Sequence, residues 1–460
     1  MVIRSLPALP PPVADDRIEA LAADLASLQP IRQGEELTRL SNDFHAYSPV
    51  LEPLLASCRA QLAVRVTSLE QVRLVAAACA RHAVPLTPRG AGTGNYGQCV
   101  PLAGGLVLDL SGLRQLRQLD PISGVVTAEA GITLGALDRQ LAERGRSLRL
   151  APSTLRSASL GGFVAGGAGG VGSMRWGFLR DPGNLLGLEV MTLEPEPRLL
   201  QLDAEASAPL NHAYGSNGIV TALTLPTCPA EDWQQLVVGF QHWDHALAAL
   251  QELSHTALLL NNATLLEAPV VAALPWPADC PAPAAVEHRL LLLAAPEAMG
   301  VLPGWLSARG GVLHWREPQA GGRGLPLREL CWNHTTLHWR GSRPDWTYLQ
   351  LLLPSEPQAA LCALRQRWGQ DLLWHLEAVR QQGAARLTGL PLLRFRGVEA
   401  LQELIDHCRS LGVLVFDPHE CTVEEGGMGQ IDPAQVAAKA AFDPAGLLNP
   451  GKLRGWLERA

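Results

Sequence analysis

Regular alternation of apolar and polar positions begins near residue 63. Ala63–Val66 reads as a strand, and Ser68–His82 carries apolar side chains at helical spacing behind a serine suited to cap it. Val84–Thr87, Leu106–Leu110 and Gly124–Ala130 follow as short strands. Thr133–Gly145 is a helix with a capping threonine at its start and a terminating glycine at its end. Ahead of these, the proline-rich residues 1–12 form a loose lead-in, Asp15–Leu28 a helix with acids in its first turn, and residues 30–54 an irregular stretch. Residues 194–211 read as an exposed excursion. Beyond Pro226–Pro229 a strand–helix–strand pass occurs twice: strand Leu236–Phe240 with helix Asp244–His255, then strand Tyr348–Leu353 with helix Pro357–Arg367. Insertions at 268–289 and 317–328 interrupt this half. The pattern predicts an α+β chain. Its expected organisation is a lead-in over 1–54, a two-lobed domain over 55–228, a second α+β domain with an antiparallel sheet over 229–424, and a C-terminal return to the first domain over 425–460.

Composition narrows the class. With 460 residues, 47% hydrophobic and 18% charged, the chain has ample length for a core in each of two or three domains. A net charge of -7 without a Lys/Arg run argues against a nucleic-acid partner. Nine cysteines scattered without a CxxC pair favour reduced thiols over a disulfide framework or zinc site. The N-terminus lacks the continuous apolar core of a signal peptide, and no stretch reaches the roughly 18 uninterrupted apolar residues of a membrane-spanning helix. The longest candidate, Leu290–Leu306, is broken by Glu297 and Pro303. The expected location is the cytoplasm.

Chemistry enters at Pro85–Leu113, where Gly90, Gly92, Gly94 and Gly97 fall within eight residues between two strands. Glycine at this density lets successive backbone N–H groups turn inward around an anion. Arg89 is expected to place a positive charge at the mouth, and Thr93 to add a hydroxyl donor. The alternative is a glycine-rich surface loop. A second cluster holds Gly161, Gly162, Gly166, Gly167, Gly169, Gly170 and Gly172. Within it Gly167-Ala-Gly169-Gly-Val-Gly172, with Glu194 about 20 residues on, imitates a Rossmann fingerprint. The polar, turn-like Ser153–Ser159 stands where the required buried strand should be, which rejects that reading.

Taken in order, PRGxGT at Pro88–Thr93, the strand ending at Asp109, Pro152-Ser153, Leu160-Gly161-Gly162, Gly215-Ser-Asn-Gly218-Ile-Val and Phe442-Asp-Pro…Asn449-Pro-Gly-Lys452 make the chain resemble the vanillyl-alcohol oxidase/PCMH class of FAD-binding flavoproteins. Within that class it looks most like the glycolate oxidase FAD subunit and D-lactate dehydrogenase-like branch. The resemblance implies a two-lobed FAD-binding domain with a second, substrate-side domain. It assigns FAD to Pro88, Arg89, Gly90, Ala91, Gly92, Thr93, Gly94, Asn95 and Gly97 at the pyrophosphate; to Pro152, Ser153, Gly161, Gly162 and Gly166 along the cofactor; to Gly218, Ile219 and Val220 at the adenine end; and to Asn449. Attachment is expected to be non-covalent, because Asn95 stands where a histidine can be the anchor; Cys99 is the alternative. The resemblance also implies a small-molecule substrate and an electron acceptor that is oxygen, a quinone or a protein. Peripheral membrane contact and a homodimer stay open.

On the substrate side the chain departs from that branch. It has no counterpart of the metal-binding HxGDGNxH stretch, and Glu424-Glu-Gly-Gly-Met-Gly429 lacks the histidine expected there. No metal is therefore assigned. Cys331–Arg340, read as a strand, places His334, Thr336, His338 and Arg340 on one face. His334 or His338 would take a hydroxyl proton as hydride leaves the carbon, and Arg340 would clamp a carboxylate through paired hydrogen bonds. A solvated sheet face and a zinc pair without a third ligand are the alternatives. His419 is a further candidate base. The expected activity is FAD-dependent oxidation of a CH–OH group in a small hydroxy acid such as glycolate or D-lactate. The rival is a flavin-binding, non-catalytic or electron-relay subunit of a larger complex.

Overall fold

The computed structural model describes residues 4–459 other than 8, 168, 321–324 and 428. Part of the second insertion, Met428 of the glycine-rich stretch near the C-terminus and Ala168 of the Rossmann-like run thus lie outside the described residues. The fold is an α+β assembly with four sheets among the described residues: two in the first half, and one large and one small in the second.

The first small sheet is parallel, with Leu106–Asp109 between Leu62–Arg65 and Leu86–Arg89. The predicted helix behind it runs Leu69–His82, and the Ser68 hydroxyl accepts from the Gln71 N–H at its start. Val72, Val75 and Cys79 from this helix bury against Leu62, Val64, Leu86 and Leu108. The second sheet is antiparallel, in the order Leu116–Leu119, Val125–Glu129, Ile219–Pro229, Gly187–Met191, Leu199–Asp203, with Arg146–Leu148 added on Ile219–Pro229. Residues 194–211 are therefore not an excursion. Leu199–Asp203 pairs along Gly187–Met191 and a short helix, Ala204–Ser207, follows. Glu194–Pro197 make the turn before this strand, Asp203 caps the short helix, and Pro209 lies in the helical turn after it.

The second half folds around an eight-stranded antiparallel sheet that begins at Gln234–Phe240. One face is covered by the helices Trp243–Ser254, Gln358–Trp368 and Val398–Ser410 over a leucine-rich core. The other face is unlike it. It buries tryptophans 315, 332, 339 and 346 with Tyr348, and it also meets Val171 and Phe178 of the first half. Across this seam the Gly172 N–H donates to the Asn261 carbonyl at 3.0 Å and Arg380 Nε to the Met174 carbonyl at 3.1 Å. The predicted strand Tyr348–Leu353 is split: Trp346–Tyr348 joins a separate three-stranded sheet, and Gln350–Leu352 joins the large one.

The largest correction concerns Cys331–Arg340. Asn333–Arg340 is an α-helix, not a strand. The segment carries two periods at once. Read at period two it alternates; read at 3.6, Trp332, Thr335, Thr336 and Trp339 fall on one side, and all four are buried. Burial of the tryptophans selects the helical period. Trp332 turns the chain into the helix at φ 53°, and its N–H is held by the Glu377 carboxylate at 2.8 Å.

Candidate active site at the domain seam

The glycine loop leaves the strand Leu86–Arg89 and is held from several distant parts of the chain. The Phe44 N–H donates to the Gly94 carbonyl at 2.8 Å. Ser159, which caps the helix Leu160–Gly166, accepts from the Ala91 N–H at 3.2 Å. Asn449 Nδ2 donates to the carbonyls of Gln98 and Tyr214 at 2.8 and 2.7 Å, and Lys452 Nζ to the Gly97 carbonyl at 2.7 Å. Thus bound, the loop keeps four consecutive N–H groups, those of Gly92, Thr93, Gly94 and Asn95, without an acceptor among the described residues. Gly92 sits at φ +69°, and a Cβ there would lie 2.0 Å from the Arg89 guanidinium. At Gly90 a Cβ would overlap Ser159 Oγ at 1.9 Å. Only glycine fits either position.

Beside the loop, the helix Leu160–Gly166 presents Gly162 and Gly166 one turn apart. Nothing packs on Gly166, and only the helix's own capping serine approaches Gly162. Loop donors and a bare helix face together form a surface lined by backbone, suited to an anion and a flat ring system. Pro152 and Ser153 lie half-buried in the preceding turn. Gly218 is a packing glycine, where a Cβ would meet Leu210 and Val190 at 2.8 Å. The Ile219 side chain is buried among Leu108, Met191 and Leu448; Val220 is only partly buried. Asn449 Oδ1 is buried without a partner among the described residues.

Arg89 is not at the mouth. Its side chain is buried beneath the loop, donating to the Asn42 carbonyl and, at 3.2 Å, to Cys99 Sγ. Burial pushes the Cys99 thiol up to about 11, which leaves little thiolate for a covalent bond at neutral pH. Asn95 is a non-nucleophilic amide whose Nδ2 donates to the Tyr348 hydroxyl at 2.6 Å, tying the loop to the second half.

The candidate base residues separate into different environments. His419 is fully buried with both ring nitrogens engaged. Ser48 Oγ, which accepts from two backbone N–H groups, gives its own proton to Nδ1 at 2.8 Å, and Nε2 donates to the Tyr348 carbonyl at 3.0 Å. Desolvation lowers its pKa to about 4. It is a strut, with no nitrogen open to a substrate proton. Arg340 lies roughly 120° round the helix from His334 and no longer shares its face. Its Nε donates to the Trp346 carbonyl at 2.8 Å and its Nη2 to the Ala46 carbonyl at 3.3 Å.

His334 and His338 remain together, one turn apart. His334 Nδ1 lies 2.8 Å from Glu329 Oε2, and Nε2 has no partner among the described residues. His338 Nε2 donates to the Glu329 carbonyl at 3.1 Å, and burial lowers its pKa. Glu329 is itself buried and has a cation from the first half, Arg156 Nη2 at 2.9 Å, from the turn between Ser153 and Ser159. Arg328, next to Glu329 in the chain, has a buried Nε without a partner among the described residues. Among those residues no group of three or more His, Cys, Asp or Glu is placed to hold a metal ion. Glu329, Arg156, Ser159 and Lys452 were not assigned roles from the sequence. Ser159 had a signal as a serine directly before an apolar helical run, and Lys452 had one as the last residue of the C-terminal signature.

Residues 60–197 match the family described as "FAD binding domain". The chain therefore carries a PCMH-type FAD-binding domain, and its cofactor is FAD. The free donors of 92–95, the bare helix face and the orphaned Asn449 oxygen fit that group. Among curated proteins, the chain is 32% identical over 177 residues to the glycolate oxidase subunit GlcD of Escherichia coli K12, covering 37% of this chain and 35% of that protein. It is 28% identical over 210 residues to a D-lactate dehydrogenase of Anaerostipes hadrus, covering 43% of each. The chain thus spans well under half the length of these relatives. Among solved structures, an alkyldihydroxyacetonephosphate synthase aligns over 98% of this chain and 87% of its own, with a TM-score of 0.73 at 14% identity. The fold is shared with that structure over nearly the whole chain.

Proposed function

We propose that the chain is an FAD-dependent dehydrogenase or oxidase of a small 2-hydroxy acid such as glycolate or D-lactate, with the flavin held non-covalently. The single observation that carries this reading is the pairing of His334 with Glu329 at a seam where Arg156 reaches the same carboxylate from the FAD-binding half. Glu329 accepts the Nδ1 proton, fixes the ring and leaves Nε2 as the basic nitrogen. Bound FAD supplies the hydride acceptor. His334 Nε2 takes the substrate hydroxyl proton, and Arg156 with Arg328 holds the carboxylate. This moves the anion clamp from Arg340, whose donors are engaged by backbone carbonyls, to two arginines with donors to offer.

The test is an anaerobic screen of hydroxy acids, alditols and amines against the purified flavoprotein, read as loss of oxidised flavin absorbance. Bleaching by a 2-hydroxy acid and not by its amide supports the reading. A protein that holds FAD yet is bleached by none of them, alone or with partner subunits, overturns it in favour of an electron-relay or structural role.

A further inference from the structure

The chain buries two lysines completely, and their surroundings differ. Lys439 uses all three ammonium hydrogens, on the Ser216 carbonyl at 2.6 Å, Asp443 Oδ2 at 2.7 Å and the Leu448 carbonyl at 2.9 Å. Lys452 uses one, on the Gly97 carbonyl, and no carboxylate lies within 4 Å of it among the described residues. The Gly97 carbonyl does not need this donor, because the Val100 N–H already supplies one at 3.1 Å. A buried ammonium with two unused hydrogens and no counter-ion is unfavourable by itself.

Its neighbourhood does not cancel the charge. Arg89, also buried beneath the loop, bonds only to a carbonyl and a thiol. Of the carboxylates nearby, Asp43, whose side chain is fully buried, accepts at Oδ1 from the His45 N–H and ring nitrogen, each at 3.0 Å, while its Oδ2 is unpaired among the described residues; Glu420 lies with Asp43 and Lys452 around Cys421. Two cationic side chains, Lys452 and Arg89, thus stand under a loop that offers four free N–H groups, with no carboxylate in contact with either among the described residues.

We propose that Lys452 is a cofactor-binding residue whose buried charge, with that of Arg89, is neutralised by the FAD diphosphate when it enters the glycine loop. This rests on the reading that the loop holds FAD. The charge is built into the apoprotein at a cost to its stability, and diphosphate binding offsets that cost. Lys452 therefore couples cofactor occupancy to the stability of the C-terminal segment, which it joins to the loop.

The experiment compares wild type with Lys452→Met, which removes charge and hydrogen bond, and Lys452→Gln, which keeps a donor for Gly97 without charge. Apoprotein is titrated with FAD, with ADP, which has the diphosphate but no flavin, and with riboflavin, which has neither phosphate. Both variants should bind FAD and ADP roughly ten- to a hundredfold more weakly, the usual worth of a charge-assisted contact. Riboflavin affinity should be unchanged, the salt dependence of FAD binding should flatten, and the apo melting temperature of Lys452→Met should equal or exceed that of wild type. FAD and ADP affinities within twofold of wild type would overturn the assignment, as would an equal loss for riboflavin or failure of both variants to give folded apoprotein. A wild-type chain that binds neither FAD nor ADP would remove the cofactor reading and this inference with it.

Discussion

The glycine loop and the helix Asn333–Arg340 both reach the strand Trp346–Tyr348, one through Asn95 and the Tyr348 hydroxyl, the other through Arg340 and the Trp346 carbonyl. They are built in opposite ways. The loop presents backbone donors, and its side chains point away into supports. The helix presents side chains: His334 Nδ1, Thr335, His338 Nε2 and Arg340 are tied to neighbours, His334 Nε2 is open, and Asn333 Oδ1, Thr336 Oγ1 and Trp339 Nε1 are buried without a partner among the described residues. A backbone surface is fixed by conformation, so it tolerates little change at any position. A side-chain surface is fixed by pairing, so one substitution removes one function and leaves the rest.

The largest expected effect tests the first half of this contrast. Gly92→Val places a branched side chain at φ +69° against Arg89, and FAD should be absent after native purification and not restored by reconstitution. Retention of flavin at the wild-type level would reduce the loop to a surface turn. His334→Ala tests the second half. It should keep the bound-flavin spectrum while slowing anaerobic flavin reduction by roughly two to four orders of magnitude. Glu329→Gln should shift the pH dependence of that rate without matching the loss. Equal rates for His334→Ala and wild type across pH 6–9 would show the helix to be a scaffold only.

The two regions also differ in how far they could be read from residues. Glycine spacing between two strands announced the loop, because φ > 0 and close approach leave few other residues possible. What could not be read was direction: nothing in the sequence says that Arg89 turns beneath the loop to reach Asn42, since that carbonyl is 47 residues away. The helix was misassigned because Thr-Thr-Leu-His-Trp satisfies two periods, and only the tryptophan-lined face of the large sheet decides between them. Glu329 belonged to no motif. Its part in the site follows from Arg156, which the fold brings from 173 residues away.

A third pair of substitutions sharpens the comparison within side chains. Arg156→Ala should raise the substrate concentration for half-maximal flavin reduction by roughly ten- to a hundredfold, because an open guanidinium is lost from the anion site. Arg340→Ala should affect folding more than substrate, with a lower melting temperature and a nearly unchanged half-saturating concentration. The opposite ranking would return the carboxylate clamp to Arg340.

The smallest expected effect lies at the base of the strand that both regions share. The turn Asp417–Glu420 carries His419, whose Nε2 holds the Tyr348 carbonyl, and it is fastened by Arg4, 2.7 Å from Asp417 and 3.4 Å from Glu420. Burial pushes the Glu420 carboxyl up to about 7; Arg4 opposes the shift, while Asp417 and Glu425 add to it. In the unfolded chain the same group titrates near ~4.3. Between these values the folded protein holds a proton that the unfolded chain has lost, so this group's contribution to stability declines as pH rises through the window and is lowest above about 7. Glu420→Gln removes the decline. Its melting temperature relative to wild type should therefore rise between pH 5 and pH 8, by no more than a few degrees. FAD affinity should be the same for both proteins at each pH, because the turn makes no hydrogen bond to residues 90–97 among the described residues. A flat difference would mean that Glu420 stays ionised against Arg4 in the folded chain. An accompanying change in FAD affinity would mean that the turn reaches the glycine loop directly, and the separation of backbone cradle from side-chain site would then be incomplete at this corner.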